Sequence, residues 1–74
     1  MKQGMLIETR PDADLDFGGS SKKLSGRKVG IIVKELGTEN YCYYETFKQY
    51  GKRFFYIFVD GEIGVLGNKE FGLL

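Results

Sequence analysis

Histidine and tryptophan are missing from this sequence, and cysteine and proline occur once each. The single cysteine, Cys42, excludes a disulfide within the chain. One thiol without any histidine also cannot build a structural zinc site. Acid–base catalysis would fall to carboxylates, lysine or tyrosine, and no pattern indicates that Glu45 and Glu62 meet in a cleft. We therefore expect no enzymatic activity, no metal and no cofactor.

Charge imbalance and long apolar runs are lacking as well. Eleven basic and ten acidic residues give a formal net charge of +1, so bulk electrostatic attraction to nucleic acid or to anionic membranes is not expected. No apolar stretch approaches the ~20 residues of a membrane span. The N-terminal apolar stretch reaches Glu8 too soon for a signal peptide. We expect a cytoplasmic protein without membrane association.

The chain length of 74 residues allows one domain with a small hydrophobic core. Small domains often gain extra stability from disulfides, metals or partners, and the first two are excluded by composition. We therefore expect a protein partner, or self-association into a homo-oligomer, to cover part of the surface.

The first part of the chain is polar and rich in glycine and serine, so residues 1–25 are predicted to be an extended arm or linker. Its three alternating aspartates, at positions 12, 14 and 16, resemble the start of a calcium loop. That loop needs glycine and glutamate where this chain has Phe17 and Lys23. The glycine-serine-lysine stretch at 18–23 lacks the lysine-hydroxyl ending of a phosphate loop and is predicted to be a flexible linker.

Apolar residues then alternate with period two, which is typical of β-strands. Asp60-Gly61 is the strongest hairpin signal because both residues tolerate positive φ. We predict an all-β barrel domain over residues 26–74, following the extended N-terminal arm. It has about five strands, at residues 29–34, 41–47, 54–59, 62–66 and 71–74.

Three segments of this domain resemble small SH3-like and KOW-like barrels. They are GRKVGIIV at residues 26–33, FYIFVDGEIG at 55–64 and NKEF at 68–71. Where many relatives carry a tryptophan, this chain has Val65-Leu66, so no ligand site is carried over. The resemblance implies a small SH3-like barrel or half-barrel. Such barrels are familiar among tailed-bacteriophage proteins, which implies a bacterial host's cytoplasm or a virion as the setting.

Aromatic residues are concentrated in one stretch: nine of the eleven lie between Tyr41 and Phe58. If Phe55, Ile57 and Val59 face inward, alternation sends the residues between them outward. An outward band of aromatic rings is typical of interface cores. The candidate partner-binding residues are therefore Phe54, Tyr56, Phe58 and Tyr44 on the barrel, with Leu6, Leu15 and Phe17 on the arm. Alternatively, the arm folds back and covers the rings, with Leu15 and Phe17 as plugs.

These patterns predict a non-enzymatic structural or interaction module that docks onto a larger assembly, such as a capsid-decorating or tail-associated protein. A KOW-like module that binds nucleic acid or the ribosome is the first alternative, because bases stack on aromatic rings while cations track phosphates. It would use Arg27, Lys28, Lys52 and Arg53. An inhibitor of a host protein is the second alternative and has the same sequence signature as the docking module.

Overall fold

The structure is a computed structural model that describes residues 3–37, 49 and 51–74. The strands are β1 (Leu6–Thr9), β2 (Asp14–Asp16), β3 (Ser21–Lys23), β4 (Val29–Glu35), β5 (Phe54–Val59), β6 (Glu62–Gly67) and β7 (Phe71–Leu73). They form one antiparallel sheet in the order β3-β2-β6-β5-β4-β1-β7. The protein is all-β, as predicted, and the sheet is not closed. No helix within the described residues is long and apolar enough to cross a membrane.

The central meander follows the sequence pattern closely. Strands β4, β5, β6 and β7 lie where alternation predicts them, and the predicted strand at 41–47 lies outside the described residues. Asp60 and Gly61 have φ values of 55° and 77° and join β5 to β6, with Val59 opposite Glu62. The predicted hairpin is therefore confirmed, because two successive positive φ angles are what a tight hairpin turn requires.

The hydrophobic core lies on one face of the sheet. Its members come from both halves of the sequence and are Ile7, Ala13, Leu15, Leu24, Ile32, Phe55, Ile57, Val59, Leu66 and Phe71. On β5, Phe55, Ile57 and Val59 are each at most 1% exposed, which matches the predicted alternation. The rings of Phe55 and Phe71 meet edge to face, with centroids 5.6 Å apart.

The structure replaces the predicted N-terminal arm by three strands of the sheet, so the prediction of an extended arm does not hold for residues 3–25. Strand β1 lies between β4 and β7, and the β2–β3 hairpin joins β6. Ile7, Leu15 and Leu24 are all 0% exposed. The prediction counted the few apolar residues in this stretch and missed that four of them, Ile7, Ala13, Leu15 and Leu24, pack in the core, while the sheet satisfies the backbone polar groups.

Candidate functional site

Four exposed apolar side chains line up across four neighbouring strands. Leu6 of β1 pairs with Ile31 of β4, Ile31 pairs with Phe58 of β5, and Phe58 pairs with Ile63 of β6. Directly opposite residues of antiparallel strands point to the same face. These four side chains, which we call the apolar row, are 52%, 41%, 45% and 54% exposed in that order.

Packing of the inner face forces the row outward. Gly30 and Ile32, which flank Ile31 along β4, are buried. A Cβ atom on Gly30 would lie 2.7 Å from the Phe58 carbonyl oxygen and 2.9 Å from the Val59 Cβ, so only glycine fits there. Because alternate residues of a strand point to opposite faces, Ile31 must then face away from the core.

The apolar surface extends beyond the row. Val29, two residues from Ile31 on the same face, is 56% exposed. A shallow depression of about 170 Å³ beside Ile63 is lined by Phe17 and Tyr56, and Phe17 is 40% exposed. A contiguous apolar surface of this kind is typical of sites where proteins bind partners.

Two ion pairs involve residues at the ends of the strands that carry this surface. Arg53 donates from Nε and Nη2 to the two carboxylate oxygens of Glu35, at 2.8 and 3.2 Å. Arg27 Nη1 lies 3.7 Å from Glu8 Oε1. Cross-strand partners share a face. Glu8 lies opposite the exposed Val29, so its pair with Arg27 borders the apolar surface. Glu35 lies opposite the buried Phe55, so its pair with Arg53 is on the other face.

Lys22 connects the β2–β3 hairpin to the β5–β6 turn. Its Nζ donates to Asp60 Oδ2 at 3.0 Å and to Glu62 Oε2 at 3.2 Å. The hydrogen bond to Asp60, followed by that to Glu62, raises the pKa of Lys22. The same bond from Lys22, assisted by the nearby charge of Lys28, lowers the pKa of Asp60. Glu62 is thus held in an ion pair with Lys22.

The predicted outward residues of β5 differ in how far they are covered. Phe58 is exposed, whereas Phe54 and Tyr56 are half-buried. The Lys52 ammonium lies 5.4 Å from the centre of the Phe54 ring, and the Lys34 ammonium lies 5.8 Å from that of Tyr56. Aromatic faces attract cations at such distances, so Lys52 and Lys34 cover part of these two rings.

The partner-binding residues predicted in the N-terminal segment also differ in how exposed they are. Leu6 belongs to the apolar row, and Phe17 lies beside it. Leu15 is 0% exposed and packs in the core, so its prediction as a partner-binding residue is wrong. The reason is that β2 places Leu15 on the inner face, over Gly64, while the polar aspartates on either side face outward. Tyr44 lies outside the described residues.

The residues predicted for nucleic-acid binding are not brought together. Arg27 and Lys28 precede the first residue of β4, whereas Lys52 and Arg53 precede the first residue of β5. Because β4 and β5 run antiparallel, the two pairs lie at opposite ends of the strands, roughly 20 Å apart at ~3.3 Å per residue. Arg27 and Arg53 also have carboxylate partners. The described residues form no single basic stripe from these four.

An acidic groove of about 400 Å³ lies between the β2–β3 hairpin and β6. Asp14, Asp16, Glu70 and Phe54 contribute to its lining. Glu70 accepts backbone hydrogen bonds from Asp14 at 3.2 Å and Gly67 at 3.3 Å, and Asp16 accepts one from Gly18 at 2.9 Å. These carboxylates therefore fix the hairpin and the β6–β7 turn. Within the described residues, no three metal-ligating side chains form a cluster that could hold an ion.

No protein-family model, curated protein or solved structure matches this chain. What points to a function is therefore the geometry of its own residues, and the apolar row above all.

Sequence reasoning missed two members of the row, Ile31 and Ile63. Both stand in stretches where apolar residues and glycines are mixed, and the sequence shows apolar residues on both faces of residues 29–32. The available signal was Gly30, because a strand glycine often marks a close approach of another backbone. With Gly30 assigned to the packed face, alternation sends Ile31 outward.

Proposed function

We propose that this protein is a non-enzymatic interaction module that docks onto another protein through the apolar row. The register of Leu6, Ile31, Phe58 and Ile63 carries the proposal. These side chains are neither scattered nor at chain ends. They form one line across the middle of the sheet, and each is at least 41% exposed.

The energetic reason is the hydrophobic effect. Burying apolar surface contributes about 25 cal/mol per Å², and binding energy concentrates in a few central, fully desolvated side chains. Phe58 lies between Ile31 and Ile63 and carries the aromatic ring of the row. We expect it to be the residue on which affinity depends most.

The pairing of Arg27 and Arg53 with carboxylates supports a protein rather than a nucleic acid as the partner. Glu35 engages Arg53 with both oxygens, and Glu8 lies beside Arg27. A phosphate backbone requires cations that are clustered and available. Charges that are paired, such as Arg27 with Glu8 beside Val29, suit a protein partner, where they tune association rate and specificity.

The most specific form of the proposal is a component of a phage particle on an SH3-like frame. It is supported by the resemblance of residues 26–74 to small phage barrels. The pairing of β1 with both β4 and β7 supports it further, since this brings the first and last strands together in one small sheet.

The test is co-purification from the native source with a tagged chain and its variants. We expect one protein to be retained in a stoichiometric amount by the wild type. It should be lost with Phe58→Asp and with Ile63→Asp, which place a charge in the middle of the row. Lys23→Asp, at an exposed position on β3, is the control and should retain the partner.

Retention of the same partner by both row variants would refute the docking surface. Salt-sensitive recovery of nucleic acid, abolished by charge reversal at Arg27 and Arg53, would favour the alternative module instead. A host enzyme as the stoichiometric partner, with its activity lowered by the wild type and not by Phe58→Asp, would identify the protein as an inhibitor.

A further inference from the structure

The two edges of the sheet differ in how well they are protected. The β3 edge carries Lys22 and Lys23, and charged side chains, lysine above all, are the usual means of preventing edge-to-edge association. The β7 edge reads Phe71-Gly72-Leu73 and continues to Leu74, without a charge or a proline. Leu73 is 48% exposed and Leu74 is 68% exposed.

Backbone hydrogen-bonding groups are directed outward along β7. Arg10 N–H donates to the Glu70 carbonyl at 2.9 Å, and Leu74 N–H donates to the Leu6 carbonyl at 3.1 Å. Antiparallel strands exchange hydrogen bonds at alternate residues, so Gly72 bonds to its partner Glu8. The N–H and C=O groups of Phe71 and Leu73 therefore point away from β1, to a side of β7 where the described part of the chain places no further strand.

Gly72 provides a second, independent observation. Its φ is not in the left-handed region, and an added Cβ would meet no described atom within 4 Å. Gly30 and Gly64, by contrast, have neighbours that leave no room for a side chain. Neither backbone conformation nor packing within the described residues explains a glycine at 72. A strand glycine of this kind often marks a place where another backbone approaches closely.

We propose that two copies of the chain pair edge to edge through β7, antiparallel, about a two-fold axis at Gly72. In this register Phe71 of one copy lies opposite Leu73 of the other, and both have outward-facing backbone groups. On each side of the axis, Phe71 of one copy and Leu73 of the other exchange N–H···O=C hydrogen bonds. Gly72 then faces Gly72 as a non-hydrogen-bonded pair, where Cα atoms approach to about 4.5 Å.

The side chains suit the same register. Phe71 is buried and belongs to the core, while Leu73 pairs with the buried Ile7 and so lies on the inner face. Cross-strand partners share a face, so Leu73 of one copy packs against Phe71 of the other. The two cores then become continuous through the interface, and the half-exposed Leu73 is covered. This inference concerns the β7 edge and stands apart from the docking role of the apolar row.

Sedimentation equilibrium over a range of concentrations tests the pairing. The wild type should shift from the 8.4 kDa chain mass to twice that value as concentration rises. The Leu73→Pro variant should keep the mass of a single chain. Proline removes a backbone N–H that points outward to the second copy, but it breaks no hydrogen bond to β1. Lys23→Pro removes an outward N–H from the other edge and should still dimerise. Phe58→Asp should also dimerise, since it changes only the apolar row.

A wild type that keeps the chain mass at every concentration would overturn the proposal. So would a dimer that survives Leu73→Pro, or one that is lost with Phe58→Asp while its circular dichroism remains native.

Disulfide trapping keeps the test decisive even if the proline variant fails to fold. In a Cys42→Ser background, Gly72→Cys places two thiols at the non-hydrogen-bonded pair, within the Cα separation of about 4.4–6.8 Å that a disulfide spans. Gly19→Cys is the matched control, because Gly19 is exposed and an added Cβ there also meets nothing within 4 Å. We expect a covalent dimer at Gly72 and none at Gly19 under mild oxidation. Equal cross-linking at the two positions would contradict the two-fold axis.

Discussion

Ile31 lies directly opposite Phe58 on the outer face of the sheet, and the two side chains stay 41% and 45% exposed. Three positions before Phe58 on the same strand, Phe55 is 1% exposed and packs against Phe71. Two of the three phenylalanines of β5 thus differ in their surroundings. Phe55 stabilises the fold, whereas Phe58 is exposed on the outer face.

This division predicts different effects of the two truncations. Phe55→Ala should lower the free energy of unfolding by about 3–5 kcal/mol, since it leaves a cavity in a small core. Phe58→Ser should change it by no more than about 0.5 kcal/mol, while reducing the fluorescence of a dye that binds exposed apolar surface. Urea unfolding and dye titration measure the two effects. A large loss of stability with Phe58→Ser would place its ring in the core.

The β2 strand allows the same comparison near the N-terminus. Leu15→Ala should lower the free energy of unfolding by about 2–5 kcal/mol, because Leu15 is 0% exposed. Phe17→Ala, two residues later at a 40% exposed position, should change it by about 0.5 kcal/mol or less. Chemical denaturation of both variants decides whether residues 1–25 are part of the cooperative unit. Equal and small effects would restore the interpretation of this segment as an arm.

Gly64 is predicted to be intolerant of any side chain. An added Cβ would lie 2.5 Å from the Leu15 Cγ and 3.1 Å from the Asp16 carbonyl oxygen. Gly64→Ala should therefore push the β2–β3 hairpin away from β6 and destabilise the protein by about 1–3 kcal/mol. Gly19→Ala is the control, since it meets nothing within 4 Å and should be neutral or stabilising by about 0.4–1 kcal/mol. Thermal unfolding of the two variants provides the comparison.

The Lys22–Asp60 ion pair predicts a pH dependence with a defined sign. The pKa of Asp60 is lowered, so the pair stabilises the fold above the ordinary aspartate range. That contribution is lost as pH falls through the lowered pKa. The pKa of Lys22 is raised, so on the alkaline side the contribution is lost as pH rises through the raised lysine pKa.

Lys22→Met should bring the Asp60 pKa back up toward its ordinary value, while the nearby charge of Lys28 keeps part of the shift. Carboxyl NMR titration measures this change, with Lys23→Met as the neighbouring control. An Asp60 pKa that is the same in the wild type and in Lys22→Met would show that the pair does not form in solution.

The sequence by itself determined the strands of the meander and the hairpin between β5 and β6. Both signals are local. Alternation of Phe55, Ile57 and Val59 with outward residues reflects the two-residue period of a strand, and Asp60-Gly61 supplies the positive φ that a tight turn needs.

Tertiary structure alone decided the role of the N-terminal segment and the composition of the apolar row. Leu15 stands in a polar stretch, and its burial depends on contact with Gly64, 49 positions later in the chain. Ile31 and Ile63 meet Phe58 only through the pairing of three strands. Composition averages over a segment, whereas burial depends on which face of which strand each side chain occupies. The face that a side chain occupies is fixed by strand pairing between residues that are distant in the sequence.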